Sequence, residues 1–268
     1  MASCHPPHKP IAAEERAAAR AALPALEDVS FRASDGLTLR GWFAPGTGKS
    51  RAAVILVHGG YANRVHWMPD LRALTAHGYG VLAYDSRGSG ESDGDLVTAG
   101  DRERKDVTAA LDFVAARPDV DPARIGLVGL SYGASAVLLT ATKDPRARAV
   151  VLEAVWSSLE DEIMSKSGRF PLLTGGAAVW GMRHEGVDVD AVRPIDHIAE
   201  LAPRKLLVVT GAADTDTPVA VMERVFAAAA APKELWIVPG AGHGAYAEVA
   251  PDEYARRLVA FFDDALVR

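Results

Sequence analysis

Six short apolar runs punctuate the chain: residues 53–57, 80–84, 125–128, 149–152, 206–209 and 235–238. None of them alternates between apolar and polar positions, which is the pattern expected of strands in a parallel sheet covered on both faces. Ahead of them, Val29 and Phe31, then Leu37, Leu39 and Trp42, fall in two alternating segments separated by Ser34-Asp35-Gly36. That arrangement predicts an antiparallel hairpin at the front edge of the sheet. Helical patterns lie between the runs. Val107, Ala110, Leu111 and Val114 recur at i, i+3, i+4 and i+7, residues 134–142 form a helical run shortly after the apolar run at 125–128, and Tyr254, Leu258, Phe261 and Phe262 form an apolar face near the end. Residues 11–23 hold strong helix formers with little amphipathic contrast and predict a surface helix. The alternation of strand and helix predicts an α/β fold, a doubly wound and mostly parallel sheet of about eight strands with right-handed crossovers.

One interval breaks the rhythm. Between Glu153 and Lys205 lie about fifty residues, far more than a loop and one crossover helix require. The expected organisation is an N-terminal extension over 1–26 and one domain over 27–268, with an insertion at about 156–193 laid over the sheet as a short helical lid. Its Phe170, Leu172, Leu173, Trp180 and Met182, with Trp156 at its start, are candidates to line an apolar substrate pocket.

Composition narrows the classes. With 268 residues, 49% hydrophobic and 24% charged, the chain can bury a real core and is neither fibrous nor largely disordered. Its 29 Lys and Arg against 35 Asp and Glu give a net charge of −6, which argues against nucleic acid and for a small-molecule partner. Cys4 is the sole cysteine, so no intrachain disulfide and no thiolate zinc site is expected. No apolar run reaches the ~18 residues of a membrane-spanning helix, so no integral membrane segment is expected. Residues 1–10 lack a basic region followed by an apolar one, which points to the cytoplasm as written. Met1-Ala2-Ser3-Cys4 resembles the end of a lipoprotein cleavage site, and removal of a leader would make the protein exported or lipid-anchored.

The chemistry is concentrated at three strand ends. Gly129-Leu130-Ser131-Tyr132-Gly133 is GxSxG, placed directly after one apolar run and directly before a helix. A serine at such a turn is forced into a strained, exposed conformation, and its neighbours two residues away must be small because strand and helix nearly touch. A serine hydroxyl needs an adjacent base, itself oriented by a third group. The run at 206–209 is followed by Asp214, with Asp216 close behind, and the run at 235–238 is followed by His243. Both loops leave the carboxyl ends of strands, where open α/β sheets build ligand sites. Asp214 ranks first as the acid, Asp216 second and Glu153, at the end of another strand, third. His66, His77, His184 and His197 show no metal-ligand spacing, and Gly88-Ser89-Gly90 lacks both a Walker lysine and a dinucleotide fingerprint. No metal or cofactor is implied.

The order Ser131, Asp214, His243 resembles that of the α/β-hydrolase superfamily, and more narrowly of serine hydrolases related to prolyl oligopeptidase, small bacterial esterases and lysophospholipase-like enzymes. The resemblance covers about residues 27–267 and includes Val57-His58-Gly59-Gly60-Tyr61 and the segment from Tyr84 to Ser92. It implies an oxyanion hole from the backbone N–H of Gly60 or Tyr61 together with that of Tyr132, and structural roles for His58, Asp85 and Arg87. The expected activity is that of a serine esterase, a carboxylesterase whose Ser-Asp-His triad hydrolyses esters of short to medium acyl chains through an acyl-enzyme. The alternatives are an amidase or peptidase using the same residues, and a non-catalytic ligand-binding protein of the same fold.

Overall fold

The computed structural model describes residues 5, 7–168 and 171–268, so Cys4 and the candidate pocket residue Phe170 lie outside the described residues. The strands are β1 (Glu27–Arg32), β2 (Thr38–Ala44), β3 (Ala53–Val57), β4 (Gly80–Asp85), β5 (Ile125–Leu130), β6 (Ala147–Glu153), β7 (Lys205–Gly211) and β8 (Lys233–Val238). They form one mixed sheet in the order β1-β2-β4-β3-β5-β6-β7-β8. β1 and β2 form the antiparallel hairpin, with Phe31 opposite Leu39, and β2 runs antiparallel to β4. All further pairings, from β4–β3 to β7–β8, are parallel. This is the architecture the sequence pattern predicts. The helices are α1 (Ala13–Ala22), α2 (Met68–Ala76), α3 (Glu103–Ala115), α4 (Tyr132–Ala141), α5 (Leu159–Ser165), α6 (Pro171–His184), α7 (Pro194–His197), α8 (Val219–Ala228), α9 (Tyr246–Val249) and α10 (Pro251–Phe262).

The unalternating runs are explained by burial on both faces. Along β3, Ala53, Ile55 and Val57 enter one apolar cluster with Val107 and Leu111 of α3, Val137 and Leu138 of α4 and Met222 of α8. Val54 and Leu56 point the other way, into a second cluster with Leu71 and Leu74 of α2 and Leu258 and Phe262 of α10. Side chains alternate across a strand, so a strand covered twice must be apolar at every position. Burying a leucine or isoleucine in this way contributes ~1.5–3 kcal/mol, and the two layers hold the carboxyl edge of the sheet rigid under its loops.

Between β6 and β7 the chain forms α5, α6 and α7 with short 3-10 turns. α6 is unusual. Its buried residues are Gly175 and Val179, while Leu172, Leu173 and Trp180 are exposed. Among the described residues, no helix is long and apolar enough to cross a membrane.

Candidate active site

β5 ends at Leu130 and α4 begins at Tyr132, so the chain turns on Ser131 alone. It does so at φ +54° and ψ −115°, a conformation costing a non-glycine residue ~1–3 kcal/mol. The turn is held from both sides. The Ser131 N–H donates to the Glu153 carbonyl at 2.8 Å, and the Ser131 carbonyl accepts from Ala134 N–H at 3.0 Å and Ser135 N–H at 3.2 Å. The small neighbours are required by space: a Cβ on Gly133 would lie 2.3 Å from the Val57 carbonyl oxygen, and one on Gly129 would lie 2.6 Å from that of Gly133.

The segment after β3 wraps against this turn. A Cβ on Gly59 would lie 3.2 Å from Ser131 Cβ, and one on Gly60 would lie 2.8 Å from the Tyr132 ring. Tyr61 follows at φ +58°. The candidate oxyanion residues Gly60, Tyr61 and Tyr132 are thus brought together beside Ser131, at the N-terminus of α4, where the helix dipole favours negative charge. His58 fixes the segment from within. Its Nε2 accepts the Ser86 N–H at 3.0 Å, which leaves Nδ1 to donate to the Gly59 carbonyl at 2.7 Å. Burial lowers its pKa and keeps that neutral tautomer.

Two buried ion pairs brace the neighbouring loops. Arg64 pairs with Asp85, whose carboxylate also accepts the Arg64 N–H at 2.7 Å and the Glu91 N–H at 2.9 Å. Arg87 pairs with Asp106 at 2.7 Å and Asp35 at 2.8 Å. Removing one partner of such a pair strands a buried charge, at ~3–5 kcal/mol.

On the far side of Ser131, the loops after β7 and β8 are tied together by hydrogen bonds from Ala212 N–H to the Val238 carbonyl and from Ala213 N–H to the Ala241 carbonyl, both 2.9 Å. This brings Asp214 to His243, whose Nδ1 donates to Asp214 Oδ2 at 2.9 Å. The other oxygen, Oδ1, accepts the N–H groups of Asp216 and Thr217, both at 2.8 Å. Burial pushes the Asp214 carboxyl up, but the hydrogen bonds from His243 and Thr217 outweigh it and the net shift is downward. Gly244 packs against Leu130, the residue before Ser131, so closely that a Cβ would approach its side chain to 2.9 Å. Ser131, Asp214 and His243 therefore share the carboxyl edge, on loops in direct contact.

The rival acids lie elsewhere. Asp216 faces Lys166 at 3.6 Å with a half-exposed side chain, and the Glu153 carboxyl is hydrogen-bonded to the Tyr254 hydroxyl at 2.6 Å. Of the candidate pocket residues, Trp156 is buried with its ring edge-on to Tyr132, their centroids 4.8 Å apart. Met182 is half-buried against the core, and Leu172, Leu173 and Trp180 are exposed. Asp70, Tyr246 and Tyr254 are buried close behind the His243 loop and escape sequence reasoning. Asp70 reads as an ordinary acidic residue in the first turn of a helix and Tyr254 as part of an apolar face. Among the described residues, no three His, Cys, Asp or Glu side chains are grouped so as to hold a metal ion.

Residues 35–189, which contain Ser131, match the X-Pro dipeptidyl-peptidase (S15 family). The protein Rv2307c of Mycobacterium tuberculosis is 34% identical over 228 residues, covering 84% of this chain and 75% of that protein. The protein YfhR of Escherichia coli is 31% identical over 248 residues, covering 90% of this chain and 81% of that one. In fold the chain is similar to the Pyrococcus furiosus esterase Pf2001, with a TM-score of 0.78 at 22% identity over 97% of this chain and 98% of that one. The α/β-hydrolase sheet, its serine turn and the S15 match together establish that the chain belongs to the X-Pro dipeptidyl-peptidase (S15) family of α/β-hydrolases.

Proposed function

We propose that the protein is a serine esterase, hydrolysing carboxylic esters of short to medium acyl chains with Ser131 as nucleophile, His243 as base and Asp214 as its orienting acid. The observation that carries this reading is the Asp214–His243 hydrogen bond on a loop packed against the strained turn of Ser131. Bonding through Nδ1 leaves His243 Nε2 as the basic nitrogen. Nε2 takes the Ser131 proton as Oγ attacks the acyl carbon, and the ionised Asp214 stabilises the imidazolium that forms. The carbonyl oxygen gains charge beside the backbone N–H of Gly60 or Tyr61 and that of Tyr132. His243 then returns the proton to the departing alkoxide, which leaves as the alcohol. Water attacks the acyl-enzyme by the same steps in reverse order, giving the acid and free Ser131.

The family match supports a second reading, release of X-Pro dipeptides from the N-terminus of peptides by the same residues. A dipeptidyl substrate carries a free ammonium that needs an unpaired carboxylate near the scissile bond. Glu162 of α5 is near enough to His243 for their charges to interact, but it is already paired with Lys166 at 2.6 Å. That favours the ester. The segment over residues 156–193 is read as the lid that sets acyl length.

The test combines labelling with turnover. A fluorophosphonate probe followed by peptide mass spectrometry is expected to mark Ser131, and Ser131→Ala is expected to lose ~10⁶-fold in kcat. Parallel assays on p-nitrophenyl esters and on aminoacyl-prolyl p-nitroanilides separate the two readings. Turnover of the anilides at or above the ester rate would overturn the ester assignment.

A further inference from the structure

Behind the His243 loop lies a cavity of about 170 Å³, lined by His66, Asp70, Glu153, Gly244, Tyr246 and Tyr254 among others. The Tyr254 hydroxyl stands 2.7 Å from Asp70 Oδ1 and 2.6 Å from Glu153 Oε1. Tyr254 is 4% exposed, Asp70 3% and Glu153 1%. Among the described residues, neither carboxyl has an ion pair with an Arg, Lys or His. The Trp67 indole N–H and the Tyr246 hydroxyl are also buried at this cavity.

The hydrogens must be counted. A phenol supplies one, and an ionised carboxylate supplies none. Two O···O contacts this short are full hydrogen bonds and need two hydrogens. One of the two carboxyls is therefore protonated, and its O–H donates to the Tyr254 oxygen while the Tyr254 O–H donates to the other carboxyl. Burial raises both carboxyls, and the neighbouring Asp70 charge raises Glu153 further, which puts the retained proton on Glu153.

The three residues come from the three segments that the proposed reaction must hold in register. Asp70 is on α2, which follows the Gly59–Tyr61 turn. Glu153 ends β6, and its carbonyl accepts the Ser131 N–H. Tyr254 is on α10, which follows the His243 loop. We propose that Asp70, Tyr254 and Glu153 form a clamp, closed by one shared proton, that positions His243 and the oxyanion turn around Ser131. They are positioning residues, and this role rests on the esterase reading above. Loss of the proton at high pH leaves two buried carboxylates flanking one phenol, and their repulsion opens the clamp. The other titratable groups facing it are His66 and Glu248 at the cavity and Glu15, Arg72 and Asp252 along the groove that runs from Asp70 and Tyr254 out beneath α1. His66 is held neutral by burial, its pKa lowered to about 4, so it supplies no charge over the alkaline range. The groove gives the proton a route to solvent.

The clamp is tested with the whole chain by pH profiles and infrared spectroscopy. Glu153→Gln carries its hydrogen permanently as an amide, so its kcat is expected to stay level at alkaline pH values where the wild-type kcat declines. Tyr254→Phe is expected to lower kcat by about 10- to 100-fold, with KM changed less than about twofold. In the wild type, a carboxylic-acid C=O stretch should persist at pH 8 and vanish in Glu153→Gln. Absence of that band in the wild type overturns the shared proton without recourse to any variant. Identical alkaline limbs in wild type and Glu153→Gln overturn the positioning role. A wild type that hydrolyses no ester refutes the esterase reading instead, and the band still decides the proton.

Discussion

The close backbone approach at the serine turn makes Gly133→Ala an informative perturbation. A Cβ there would sit 2.3 Å from the Val57 carbonyl oxygen and 2.5 Å from that of His58. Both obstacles are backbone at the end of a central strand, so neither can swing aside as a flexible side chain would. A C···O contact relaxes to about 3.3 Å or more, which requires α4 and β3 to separate by about 1 Å. Overpacking of this kind costs ~1–3 kcal/mol, which for a chain of this size lowers Tm by about 2–12 °C. The same displacement moves Tyr132 away from Gly60, and a shift of about 1 Å in an aligned site costs ~10²-fold in kcat. Gly181→Ala in α6 is the control. Nothing lies within 4 Å of its would-be Cβ, and alanine in a helix interior gains ~1 kcal/mol over glycine. The measurements are Tm by calorimetry and kcat on a p-nitrophenyl ester for both variants. If Gly133→Ala matches Gly181→Ala in Tm and the wild type in kcat, the close approach of α4 to β3 is not what shapes the turn.

Three further outcomes are expected. Asp214→Asn removes the negative acceptor of His243 and should lower kcat by ~10⁴-fold, whereas Asp216→Asn, exposed beside Lys166, should stay within about twofold of wild type; the reverse order in kcat/KM would contradict the assignment of the acid. The hydrogen bond from Arg87 holds Asp35 down to about 2, so its stabilisation is present above the ordinary carboxylate range and is lost as pH falls through about 2. Asp35→Asn should therefore unfold at lower urea concentration than wild type at pH 7, with the gap closing between pH 4 and pH 2, and a constant gap would count against the ion pair. Across p-nitrophenyl esters from acetate to palmitate, kcat/KM should peak at short to medium chains, at roughly tenfold per two carbons before the peak, and a steady rise to palmitate would refute the limit on acyl length.

How far the sequence reaches depends on how local each determinant is. The sheet was legible because burial on both faces makes every position of β3 and nearly every position of β4 and β5 apolar, as with Val54 and Ile55, which enter opposite layers. Ser131 was legible because its strained turn demands small neighbours in a fixed local order, Gly129 and Gly133. Asp214 and His243 were legible as positions at strand ends, but their bond depends on how the loops after β7 and β8 tie together, through contacts that no spacing encodes. The apolar residues over 156–193 could be read as pocket lining or, more readily for any one of them, as packing. The structure buries Trp156 against Tyr132 and leaves Leu172, Leu173 and Trp180 exposed, since α6 packs through Gly175 and Val179. Least legible was the Asp70–Tyr254–Glu153 contact, which spans 184 positions between Asp70 and Tyr254 and exists only once α2, β6 and α10 meet.

The distribution of buried charge around the site has a common logic. Ser131 occupies a conformation that the chain does not favour, and the proposed oxyanion N–H groups would have to face one point without relaxing toward water. Apolar packing alone holds helices and strands but directs no loop, because it lacks directional contacts. Directional restraint comes from hydrogen-bonded charges, and each loop around the serine has such an anchor. Arg64 and Asp85 brace the segment after the Gly59–Tyr61 turn, Arg87 and Asp106 brace the loop after β4, and Asp214 holds His243 together with the N–H groups of Asp216 and Thr217. Buried pairs of this kind add little net stability relative to apolar residues of the same volume, yet breaking one is costly. That asymmetry suits a site in which precision of placement matters more than total stability. The Asp70–Tyr254–Glu153 contact differs from the others in having no cation, so a proton takes the place that Arg64 and Arg87 fill elsewhere. A restraint closed by a proton can be undone by raising the pH alone, whereas a guanidinium keeps its charge as the pH rises.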